Sequence, residues 1–70
     1  MIYAKVEDMV NGFHEAVSAG NVKLATKVFL LDMREALADM TADYESNLFE
    51  CDQADLKENI AYLTAVIEGA

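Results

Sequence analysis

The sequence predicts an all-α chain, and three observations carry that prediction. Apolar residues recur at steps of three and four along most of its 70 residues. There is no proline, and of the three glycines Gly20 and Gly69 stand at the ends of periodic segments. Residues 22–50 contain neither residue type and are rich in Ala, Leu, Met, Glu and Lys, all good helix formers. The expected architecture is one domain over 1–70, an antiparallel helical hairpin extended to three helices near 2–19, 22–50 and 53–68.

In the first segment Ile2, Val6, Met9, Phe13 and Ala16 recur at steps of four and three, with Tyr3, Val10 and Val17 beside them. That is one broad apolar helix face. Asn11-Gly12 is a turn signal inside it, and Gly12 costs about 1 kcal/mol against Ala in a helix interior. The register of Met9 and Phe13 continues through it, so a single helix is expected. Gly20 is placed for a left-handed C-terminal residue and Asn21 for the N-cap of the second helix, making a tight turn between helices.

At 1.5 Å per residue the second helix would be roughly 43 Å long. Its residues, set at 100° steps, separate into two apolar stripes. The main one holds Phe29, Leu30, Met33, Leu37, Met40, Tyr44, Leu48 and Cys51. A second, nearly opposite, runs through Leu24, Val28, Leu31, Ala38, Ala42 and Phe49 with the spacing of a heptad seam, interrupted by Glu35 and Glu45. The third helix has Asp52 or Asp55 as candidate cap, Asp55 and Glu58 at capping-box spacing, and Leu56, Ile60, Leu63 and Ile67 as its face. Two short helices cannot cover both stripes of the long one, so a homodimeric helical bundle is expected. Size points the same way. Ordering 70 residues at roughly 1.5 kcal/mol each costs on the order of 100 kcal/mol, and Cys51 and His14 alone supply neither a disulfide nor a zinc site.

Charge is unevenly placed. The formal −8 resides wholly in residues 35–70, where nine acids face only Lys57, while residues 1–34 sum to zero. Asp32, Glu35, Asp39, Asp43 and Glu50 fall within about 80° of the long helix and draw an acidic ridge roughly 27 Å long between the stripes. Nucleic acid and anionic membranes are bound through clustered Lys and Arg, so neither is an expected partner. A protein with a basic surface is the physical complement. No apolar run approaches the roughly 20 residues of a membrane span, no signal-peptide pattern is present, and one free thiol suits a reducing compartment, so a cytoplasmic protein is expected.

Catalytic constellations are not legible. His14 and Cys51 read as packing residues, the carboxylates as solvated, and Asp43, Glu45 and Asn47 lack the glycine of a calcium loop. No catalytic residue, metal ligand or cofactor is expected. Gly20, Ala25 and Phe29 match part of a tetratricopeptide hairpin, but Gly12, Phe13, Ala16 and Asp32 depart from it. Glu45-Ser46-Asn47-Leu48 does not supply the Asp-Ser-Leu of acyl carrier proteins. The expectation is a small non-enzymatic protein that binds and inhibits or modulates another protein through the acidic ridge (Asp32, Glu35, Asp39, Asp43, Glu50) and the neighbouring apolar residues (Leu24, Val28, Leu31, Ala38, Ala42, Phe49, with Tyr44 as an aromatic anchor). By general type it is similar to the small antagonists that bacteriophages direct at host regulators, nucleases or ATPases, some of which imitate nucleic-acid charge; for such a protein the compartment would be the host cytoplasm. The alternative is a structural subunit whose second stripe is an obligate interface.

Overall fold

The computed structural model describes residues 1–46 and 53–70. Among these, three helices form the whole regular structure: α1 over Ala4–Ser18, α2 over residues 22–46, and α3 over Gln53–Gly69. The fold is all-α, as the periodicity requires. Its long dimension is 40 Å, set by α2. The expected continuation of α2 to residue 50, with Leu48, Phe49, Glu50, Cys51 and Asp52, lies outside the described residues.

Helix α1 runs unbroken through Asn11-Gly12. The physical reason lies on α2: a Cβ on Gly12 would stand 2.4 Å from Cε1 and 2.7 Å from Cζ of Phe29. Gly12 is therefore a seat for an aromatic ring rather than a break. The buried face is Val6, Val10, Phe13 and Ala16, whereas Val17 is exposed. The helix ends in a Schellman motif, with Asn21 N–H donating to Ala16 O, Gly20 N–H donating to Val17 O, and Gly20 at φ 76°. The Asn21 side chain then accepts from Leu24 N–H at 3.1 Å and caps α2.

Helix α2 is not uniform. An α-helical turn, Val22–Leu24, leads into a π-helical turn, Ala25–Phe29, in which Leu30 N–H donates to Ala25 O, before the α-helix resumes over Leu30–Ser46. The expected single α-helix from residue 22 is corrected to this extent. Ala25, Phe29, Met33 and Leu37 succeed one another at steps of four, and each such step drifts about 40° around an α-helix. The wider turn cancels that drift once. Ala25 and Met33 are consequently both buried.

Helix α1 packs antiparallel to α2, with Tyr3 and Val6 beside Met40 and Asp43 at one end and Gly12 on Phe29 nearer the other. Helix α3 covers the second half of α2 and contributes Leu56 and Leu63 to the core formed with Val10, Phe13, Met33 and Met40. Burial of each such side chain is worth about 1.5–3 kcal/mol. The main stripe of α2 thus faces inward, and Tyr44 is half-buried against that core.

Candidate functional site

The acidic ridge borders a groove between α1 and α2. Asp32, Glu35 and Asp39 are exposed on α2, and Asp43 is half-buried below them. Opposite them α1 presents Lys5 and Met9 across a hollow of about 280 Å³ lined also by Ala36. A contiguous hollow of about 210 Å³ continues past Met40 to Tyr3 and Asp43. Helical spacing explains the alignment, since residues three and four apart stack along one flank. The groove therefore has a carboxylate wall, a floor of Met9, Ala36 and Met40, and one lysine on its far rim. Glu50, the fifth residue of the expected ridge, lies outside the described residues.

Ion pairing leaves this wall to solvent. Among the described residues the ion pairs within 4 Å are both made by the Met1 ammonium, to Asp55 at 2.8 Å and to Glu58. Such a groove fits a lysine or arginine side chain, its aliphatic stem on Met9 and Ala36 and its head among the carboxylates.

The second stripe is exposed. Leu24, Val28 and Leu31 retain 38%, 43% and 53% of their accessible surface, large values for branched apolar residues. Ala38 and Ala42 are also exposed, but the expected single line is corrected, because the π-helical turn over Ala25–Phe29 rotates Leu24 and Val28 out of the register of Leu31, Ala38 and Ala42. Phe49 lies outside the described residues. Tyr44 is turned to the core side, away from this line. Among the described residues no helix is long and apolar enough to cross a membrane, and no group of His, Cys, Asp or Glu is arranged to hold a metal ion. His14 is exposed, its ring tilted against Phe13 at 5.8 Å, and Cys51 lies outside the described residues.

One polar assembly goes beyond the sequence-based expectations. Asn59, with 0% of its surface exposed, sits inside α3 and clamps the N-terminal residues. Its Oδ1 accepts from Tyr3 N–H at 2.8 Å, and its Nδ2 donates to Met1 O at 2.8 Å and to Asp55 O at 2.7 Å. Asp55 and Glu58 meanwhile hold the Met1 ammonium. Their expected role as a capping box is corrected: α3 begins at Gln53, so Asp55 is already in its first turn. Hydrogen bonds to Asp55 and then Glu58 raise the amino group above its ordinary pKa of 8.0. Position was the legible signal, because Asn59 falls three residues after Leu56 and four before Leu63, where an apolar residue belongs.

No protein family matches the chain, and neither a curated protein nor a solved structure is detectably similar to it.

Proposed function

We propose that this chain acts without catalysis, by binding another protein and occluding or modulating a basic functional surface on it, in the cytoplasm and in the manner of the small bacteriophage antagonists. The observation that carries this reading is the groove: four carboxylates in a row on α2, outside any ion pair within 4 Å among the described residues, above an apolar floor. Aligned like charges at i,i+4 cost a helix a few tenths of a kcal/mol per pair. A row of them is an expense that a basic partner would relieve on binding. The charge would steer association, and the apolar floor would supply contact area for the stems of basic side chains. Direct contact with nucleic acid does not fit a wall of this sign.

The test uses an arginine- and lysine-rich helical peptide as probe, with fluorescence anisotropy as readout. Asp39→Ala together with Asp43→Ala should weaken binding by about tenfold, mainly through the association rate, and the difference should vanish at high salt. Thermal stability of the double variant should be level or raised. Binding that is unchanged by the two substitutions would remove the groove from consideration.

A second reading is favoured by a separate observation, the exposure of Leu24, Val28 and Leu31. It assigns the outer face of α2 to self-association, giving the homodimeric bundle that the stripe pattern predicts, or to a place in a larger helical assembly.

A further inference from the structure

We propose that the end of the groove nearest the start of α1 is a pocket for one arginine side chain of the basic partner, with Tyr3 as its aromatic wall and Asp39 and Asp43 as its carboxylates. The proposal rests on the reading of the groove as the binding site and names the side chain that fills its apolar end. The two hollows of the groove differ in kind. The outer one lies among Asp32, Glu35 and Asp39, all exposed. On such an open ridge a hydrated lysine ammonium is served about as well as a guanidinium. The inner hollow, of about 210 Å³, has Val6, Met9 and Met40 as its floor, Tyr3 at its end and Asp39 and Asp43 along its side. Val6 and Met40 are buried, and Tyr3 and Asp43 are half-buried.

That combination selects arginine over lysine. A guanidinium is planar and more weakly hydrated than an ammonium, so entering an apolar recess costs it less. It stacks on an aromatic face while its edge still donates to carboxylates. A cation held against the half-buried Asp43 is screened by salt less than one on the open ridge. The arginine stem lies on Met9 and Met40. Lys5, which faces these carboxylates from α1, makes no ion pair within 4 Å among the described residues, so the entering cation meets carboxylates that are not already paired. The aromatic wall is also preorganised. Tyr3 stands in extended backbone ahead of α1. Its N–H donates to Oδ1 of Asn59 at 2.8 Å, and the same fully buried amide donates to Met1 O at 2.8 Å. A side chain of α3 thus fixes one wall of a groove between α1 and α2, and a wall fixed beforehand pays no ordering entropy when its ligand arrives.

Two helical peptides test this, identical except that all basic positions are arginine in one and lysine in the other, with fluorescence anisotropy as readout. Each is titrated with the wild type, Tyr3→Leu, Asp43→Asn and Glu35→Gln at one salt concentration, after circular dichroism has established that each variant is folded. The wild type should bind the arginine peptide about tenfold more tightly, the size of a partly desolvated cation–π contact. Tyr3→Leu keeps apolar bulk and removes the ring, and Asp43→Asn keeps shape and removes the charge. Each should bring the preference down to about threefold or less. Glu35→Gln, in the outer hollow, should weaken both peptides alike and leave the preference as it was, which separates the pocket from the general strength of guanidinium–carboxylate pairing. Should Tyr3→Leu fail to fold, the contrast between Asp43→Asn and Glu35→Gln decides alone. Binding of neither peptide by the wild type would overturn the groove reading and the pocket with it. Equal binding of both peptides, a preference that Tyr3→Leu or Asp43→Asn leaves intact, or one that Glu35→Gln reduces as much, would overturn the arginine pocket and leave the groove standing.

Discussion

Asn59 decides how the N-terminus is held. A buried amide is tolerable when each of its polar atoms finds a partner, and here three hydrogen bonds of 2.7–2.8 Å join it to Met1, Tyr3 and Asp55. Tyr3 is the N-cap of α1, and its own N–H is taken up by a residue near the other end of the chain. The sequence marks Asn59 as anomalous, a polar residue on an apolar face, but its partners Tyr3 and Met1 are 56 and 58 residues away and no local rule names them. Asn59→Asp tests the clamp while conserving shape. The carboxylate still accepts from Tyr3 N–H, yet it cannot donate to the two carbonyls and it buries a charge close to Asp55 and Glu58. A loss of about 3 kcal/mol or more in urea denaturation is expected, against about 1–3 kcal/mol for Asn59→Ala. An aspartate variant as stable as the wild type would mean that the clamp contributes nothing.

At the scale of helices, most of the fold was legible because local rules agree with packing. The turn at Gly20-Asn21 needs a left-handed residue and then a cap, and both are present in that order. Three helical segments are implied by the periodicity alone. The seating of Phe29 on Gly12 was not legible, since Asn-Gly has the same local signature whether it breaks a helix or accommodates a ring. Nor was the π-helical turn, although the run of four-residue steps from Ala25 to Leu37 is its trace. This interlock makes a signed prediction for Gly12→Ala. Helix propensity alone would stabilise α1 by about 1 kcal/mol. The added methyl meets three atoms of a half-buried ring between 2.4 and 3.0 Å, and overpacking of that kind costs about 1–3 kcal/mol. The net effect in the wild-type background should be destabilising. With Phe29→Leu already in place the same substitution should be neutral or stabilising, and chemical denaturation of the four proteins closes the cycle. Destabilisation of equal size in both backgrounds would show that ring contact is not why Gly12 is required.

For the molecule as a whole, the formal charge of −8 and the unsupported ridge describe one electrostatic condition. The chain folds in spite of a row of carboxylates, because the inward stripe of α2 is covered by α1 and α3 and carries the stability. Asp32 to Glu35, Glu35 to Asp39 and Asp39 to Asp43 are three like-charge pairs at helical spacing, each unfavourable by about 0.2–0.5 kcal/mol. Together they amount to about 1 kcal/mol, which for a domain of this size corresponds to about 4–8 °C in Tm. Sodium chloride at 0.5 M reduces the Debye length from about 30 Å at 0.01 M to a few ångströms and should recover much of that difference. Thermal melts by circular dichroism should therefore shift upward by several degrees between those two concentrations. The Asp39→Ala, Asp43→Ala variant supplies the control, because it removes two of the three pairs and should lose most of the salt response. A Tm that is flat or falling with salt in the dilute wild type would show that the ridge is neutralised within the chain, and the groove would then have no charge left to offer a basic partner.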